Sequence, residues 1–155
     1  MKMHLVSLLL VALSASVPLH AADTGPVSAK TSVSDRLKTA RAAIQAKEWK
    51  KALAELNLAA REEPRNADVQ NLLGYSYRKQ GTPDLPKAFE HYQAALRLDP
   101  RHKGAHEYIG EAYLMDRKPA EAEKHLASLA QICGNTSCEE YEDLAKAMAD
   151  YKARH

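Results

Sequence analysis

Apolar residues along this chain fall at intervals of three and four, and that rhythm predicts a succession of helices. Ser34 stands where a helix N-cap would, ahead of an apolar side carrying Leu37, Ala40 and Ile44. A second helix is expected from about Trp49 to Glu62, with Leu53, Leu56 and Ala60 on one stripe. Pro64 ends that unit, because the residue before a proline disfavours helix. Asn66 then caps a helix to about Gln80, with Gly81 fitting its C′ position. The next helix starts at Leu85 or Pro86 and runs through Phe89, Tyr92, Leu96 and Leu98 to Asp99-Pro100. A third unit begins near His102, turns at about Asp116–Lys118, restarts with Pro119 and ends at about Cys133. No segment alternates with the period of two that marks a strand, so the fold class is all-α.

These helices repeat in pairs. Leu73, Gly74 and Tyr77 have counterparts in Ile109, Gly110 and Tyr113, each 36 residues later. In the second helices, Ala88, Tyr92 and Ala95 answer Ala52, Leu56 and Ala59 upstream and Ala122, Leu126 and Leu129 downstream. A glycine inside a helix costs about 1 kcal/mol of propensity, so Gly74 and Gly110 are expected where another helix approaches closely. Together with Pro64 and Pro100 this pattern resembles the tetratricopeptide repeat family over residues 34–134. Ala40 stands in repeat one where the other two repeats have glycine. The 36-residue step reflects two extra residues in the turn from Gly81 to Pro86, a cheap insertion in a surface loop.

The resemblance implies a right-handed superhelix of three helix–turn–helix repeats, at 34–65, 66–100 and 101–134. A different segment follows. Ser137 and Glu140 have capping-box spacing, and Tyr141, Leu144, Met148 and Tyr151 line one face of a helix over 137–153. Such a helix would cover the apolar end of the stack, which open-ended repeats require.

Composition changes the picture little. With 45% hydrophobic and 27% charged residues the chain reads as one soluble domain, and a net charge of +2 argues against nucleic acid or an anionic membrane as partner. The front of the chain is separate. A short basic start, an apolar run from Leu5 to Val17 and small residues at Ala21-Ala22 read as a secretory signal peptide over 1–21. The run is too short to remain as a membrane span. Residues 22–33 contain Gly25-Pro26 and lack periodicity, and read as a flexible leader. The expected location is the periplasm.

In an exported chain, Cys133 and Cys138 most simply form a disulfide joining the last repeat to the terminal helix. A redox role, as a thiol-dependent helper in redox chemistry or cytochrome maturation, is the alternative, although active pairs usually have C-x-x-C spacing. His102 and His106 sit at i, i+4, without the acidic partner of a metalloprotease motif, and His106 falls on the packed side of its helix. There is no nucleophile elbow and no glycine-rich phosphate loop, so neither enzyme activity, cofactor nor metal is expected.

What remains is an interaction surface. The family resemblance implies that the first helix of each pair lines a concave face where a peptide or protein partner binds. Residues pointing away from the packing stripe are Lys38, Arg41 and Gln45, then Asn71, Tyr75 and Arg78, then Glu107, Tyr108 and Glu111. Glu107 and Glu111 depart from the Lys/Asn pattern of family members that clamp a C-terminal carboxylate. Tyr75 and Arg78, at the centre, are expected to be open to the partner and of little consequence for stability.

Overall fold

A computed structural model describes residues 31–155. The expected signal peptide and all but the end of the expected leader lie outside the described residues. Among the described residues seven helices follow one another: α1 (Val33–Gln45), α2 (Trp49–Glu62), α3 (Ala67–Lys79), α4 (Leu85–Leu98), α5 (Lys103–Met115), α6 (Pro119–Cys133) and α7 (Glu139–Arg154). Among the described residues there is no strand. Nor is any described helix long and apolar enough to cross a membrane. The first six helices pack as the pairs α1–α2, α3–α4 and α5–α6, and each pair packs on the next through α2–α3 and α4–α5.

Caps explain most of the boundaries. Asn66 accepts the Val69 N–H at 3.2 Å, Asp84 that of Lys87 at 3.1 Å, and the His102 ring that of Ala105 at 3.1 Å. At the front, Ser32 rather than Ser34 is the cap: its hydroxyl accepts the Asp35 N–H at 3.1 Å. Burial of Val33 in the first core cluster draws the helix start forward past Ser34. Gly81 does not take the left-handed C′ conformation either. Gln80 leaves α3 extended, and Gly134, after α6, is the described glycine with positive φ, at 70°.

The two-residue insertion is visible in one hydrogen bond. In repeats one and three the turn closes with Glu48 N–H to Ala43 C=O and Lys118 N–H to Tyr113 C=O, with Lys47 and Arg117 left-handed. In repeat two the corresponding bond runs from Asp84 N–H to Tyr77 C=O at 2.9 Å, over two more residues. The helices therefore keep their packing while the loop lengthens.

Close packing accounts for the glycines. A Cβ on Gly74 would lie 2.6 Å from the ring of fully buried Tyr92 in α4. On Gly110 it would lie 2.6 Å from a methyl of Leu144, which comes from α7 and not from α6. Leu126, which answers Tyr92 in the repeat, is only half-buried, and α7 occupies the approach to Gly110 in its place.

α7 packs chiefly on α5 and secondarily on α6. Leu144 and Met148 join Leu114, Ala122 and Leu129 in one cluster, with Tyr141 and Tyr151 at its edge. Each fully buried large side chain contributes about 1.5–3 kcal/mol, enough to hold a helix of this length in place. The capping box does not form. Ser137 turns its N–H and hydroxyl to Asn135, at 2.9 and 3.0 Å, and Cys138 takes the N-cap position. Glu140 instead pairs with Lys103 of α5 at 3.2 Å.

Cys133 and Cys138 are joined by a disulfide, which ties the end of α6 to the start of α7. Changing both to serine should lower the unfolding free energy by about 2 kcal/mol, the loop entropy of so short a closure. Urea midpoints of the two forms measure this, and an unchanged midpoint would mean the bridge has no structural role.

Candidate partner-binding groove

Two open cavities lie along the first helices α3 and α5, with α7 alongside, and α1 borders the first of them. One, of about 280 Å³, lies toward their N-terminal ends and touches Arg41, Asn71, Glu107 and Tyr108, with Glu140 and Asp143 of α7. The other, of about 400 Å³, lies toward their C-terminal ends between Arg78, Glu111 and Met115 and the Asp150–His155 end of α7. The structure thus brings Arg41, Asn71, Glu107 and Tyr108 together, and Arg78 with Glu111. Lys38 joins neither group and faces a separate cavity between α1 and the start of α2.

Between the cavities runs an aromatic row. Trp49 and Tyr75 have ring centroids 6.5 Å apart, Tyr75 and Tyr108 4.8 Å, and Tyr108 and Tyr92 6.4 Å, all tilted. Tyr75 and Tyr108 are half-buried. Burial among neighbouring carboxylates pushes the Tyr108 phenol up to about 12, so both rings act as neutral, amphipathic contact surface.

Arg78 is not open to a partner as its position on the repeat suggested. It is 4% exposed and forms the hub of a buried polar cluster. Its Nε donates to the Tyr92 hydroxyl at 3.2 Å, and Nη1 forms an ion pair with Glu111. The guanidinium also lies 5.5 Å from the Tyr75 ring centre and 5.6 Å from that of Tyr108. The neighbouring tyrosines and Glu111 surround it, a consequence of packing that repeat position alone does not show.

Asn71 and Glu107 are likewise buried, at 6% and 7% exposure, whereas Arg41 is exposed and Glu111 half-buried. Glu107 is held up to about 8 by burial first and then by the charges of Glu111, Asp143 and Glu140. At neutral pH its carboxyl is largely protonated. The contributions of Glu140 and Asp143 were not read from the chain, which assigned that segment to capping alone. The signal was present in the acidic first turn and basic last turn of α7.

The two histidines at i, i+4 have separate partners. His102 bonds Asp68 at 3.0 Å while capping α5. His106 Nε2 lies 3.1 Å from the Pro100 carbonyl, so it carries the proton, and its Nδ1 accepts from His125 Nδ1 at 2.9 Å. Burial and the neighbouring His106 hold His125 down to about 4. Cys133, Cys138 and Glu140 also cluster, but the two sulfurs are bonded to each other.

A family model described as tetratricopeptide repeat matches residues 37–85 and 84–135. Among solved structures, a crystal structure of the Yersinia enterocolitica type III secretion translocator chaperone SycD is similar, with a TM-score of 0.68. It is 15% identical, and the match covers 84% of this chain and 98% of that one, a likeness of fold. No curated protein matches the sequence.

Proposed function

The chain belongs to the tetratricopeptide repeat family, and from that premise we propose that it is a non-catalytic adaptor holding a segment of a protein partner along α1, α3 and α5. The observation that carries this reading is the half-buried Tyr75–Tyr108 pair between two cavities, backed by a buried Arg78 that keeps both rings in place. Rigid tyrosines beside concave pockets are the surface on which binding energy concentrates. The likeness to a translocator chaperone supports a role in escorting or presenting a partner during secretion or envelope assembly. The basic start and apolar run at the front of the chain support export to the periplasm as the setting.

Peptides selected from a displayed random library on the full chain provide the test. Their binding is expected to perturb the amide signals of α3 and α5 around Tyr75 and Tyr108. Tyr75→Ala should weaken it at least tenfold, since a central aromatic contributes about 2 kcal/mol. Thermal melts of the variant beside the wild type separate lost contact from lost fold. Binders that perturb only α2, α4 and α6 would place the site on the opposite face and overturn the reading.

A further inference from the structure

The larger cavity, at the C-terminal ends of the helices, combines an apolar lining with a cationic rim. Leu114 and Met115 of α5 and Ala147 and Tyr151 of α7 line it, and the Tyr151 ring stacks on His155 with centroids 4.3 Å apart. Met115 is 45% exposed, more than any other large apolar side chain among the described residues. A single exposed methionine is ordinary on a convex surface, but this one sits in a concavity of about 400 Å³. The charges around it are unevenly matched. Glu111 pairs with Arg78, and Asp150 with Lys146 at 3.3 Å, so both acidic side chains at the cavity already have a cation. Arg117 and Arg154 are exposed on its rim, and among the described residues neither forms an ion pair. Both are held in place by the backbone. Arg117 has a φ of 58° in the turn after α5, its N–H donating to the Leu114 C=O at 3.1 Å. Arg154 Nε donates to the Asp150 C=O at 3.0 Å, which orients the guanidinium and leaves its terminal nitrogens for another acceptor.

We propose that this cavity receives an acidic, apolar stretch of the partner segment: a leucine-sized side chain on Met115, Leu114 and Tyr151, and a carboxylate from the same segment on Arg117 and Arg154. The proposal rests on the groove reading and adds the chemistry of what one end of the groove selects. Charge complementarity names the occupant. The rim offers two guanidinium groups without a carboxylate, and guanidinium donors match a carboxylate in planar, paired hydrogen bonds. Arginine at a helix end also complements the helix dipole, and the C-terminal ends of α5 and α7 weakly disfavour an anion. Two guanidinium charges at contact distance outweigh that effect. The lining selects the other half of the stretch, since a methionine side chain adapts its shape to the apolar group laid on it. In an extended segment the two groups stand at i and i+2, because side chains two apart point the same way.

The probes are acetyl-leucyl-glycyl-aspartyl methylamide and analogues with asparagine or lysine in place of the aspartate, titrated into the full chain and followed by NMR. The aspartate compound should shift the Met115 methyl and Arg154 Nε–H signals, with an affinity about tenfold above that of the asparagine compound. Raising sodium chloride from about 50 to 500 mM should remove most of that difference, because the carboxylate contact is exposed to screening. Arg154→Gln and Arg117→Gln should each weaken the aspartate compound about threefold and leave the asparagine compound unchanged. Arg117→Glu with Arg154→Glu should reverse the preference, so that the lysine compound binds best. Thermal melts of these surface variants beside the wild type show that the fold is kept. Equal binding of the aspartate and asparagine compounds, shifts that spare Met115, or an unreversed preference in the double variant would overturn the proposal. Library peptides that bind along α3 and α5 with no loss in the double variant would leave the groove reading standing and remove the acidic stretch from it. Failure of the library to yield any groove binder would remove the groove reading, while the aspartate titration still decides what the cavity takes.

Discussion

Arg78→Ala is expected to destabilise the protein by about 3–5 kcal/mol, a large share of the stability of a domain this size. Removing the guanidinium leaves Glu111 without its ion-pair partner and the buried Tyr92 hydroxyl without its donor. It also opens a void under Tyr75 and Tyr108, whose rings flank the guanidinium. Much of the cost comes from the void and from leaving the half-buried Glu111 charge unpaired, so a replacement that fills the void and neutralises that charge should cost much less, with only the Tyr92 hydroxyl left without its donor. The double variant Arg78→Met with Glu111→Gln is therefore expected to recover more than half of the loss. Urea denaturation of the three forms measures this. Arg78→Ala with a wild-type midpoint would mean that the cluster is open to solvent and contributes little.

Glu107→Gln is expected to stabilise the protein, and the gain should depend on pH. The folded protein holds Glu107 up to about 8 against an ordinary value of 4.5. A carboxyl raised in this way supports the fold fully below its unfolded value, and that support is lost as pH rises through the folded value. Glutamine stays neutral throughout. The variant should therefore match the wild type near pH 4 and exceed it progressively between pH 5 and 9. The gain has an upper bound of about 5 kcal/mol once Glu107 is ionised, at about 1.4 kcal/mol per tenfold change in proton affinity, and solvent reaching the carboxyl screens it below that. Melting curves at several pH values decide it, and a constant offset between the two proteins would show that Glu107 is not the group responsible.

Most of the fold was legible in the chain because repeat architecture is built from local and nearest-neighbour rules. Helix periodicity, the Leu-Gly…Tyr spacing and the closing prolines are each set within one repeat or between adjacent ones. The bounds of α2, the Asn66 cap, the restart at Pro119 and the apolar face of α7 all follow from residues within a few turns of one another. The misreadings at Ser34 and Ser137 have the same origin as each other. In both places a residue distant in sequence or a covalent tie, the core around Val33 and the Cys133–Cys138 bridge, outweighed a local capping preference.

The groove was legible only as a set of positions. Periodicity places Asn71, Arg78 and Glu107 on the side of their helices away from the repeat's packing stripe, and that assignment treats each repeat as if it had only its neighbours. It holds for Arg41, which stays exposed, and in part for Tyr75 and Tyr108, which are half-buried. Only the tertiary structure decided that α7 packs chiefly along α5, closing over part of that face and bringing Glu140 and Asp143 to Glu107. Burial and electrostatic coupling depend on which surfaces meet in space, across residues 30 or more apart in the chain, and no local pattern encodes them. The sequence by itself therefore determined the helices, their pairing and the class of protein. The depth of each polar side chain, and with it the chemistry of the groove, was decided by how the last helix packs.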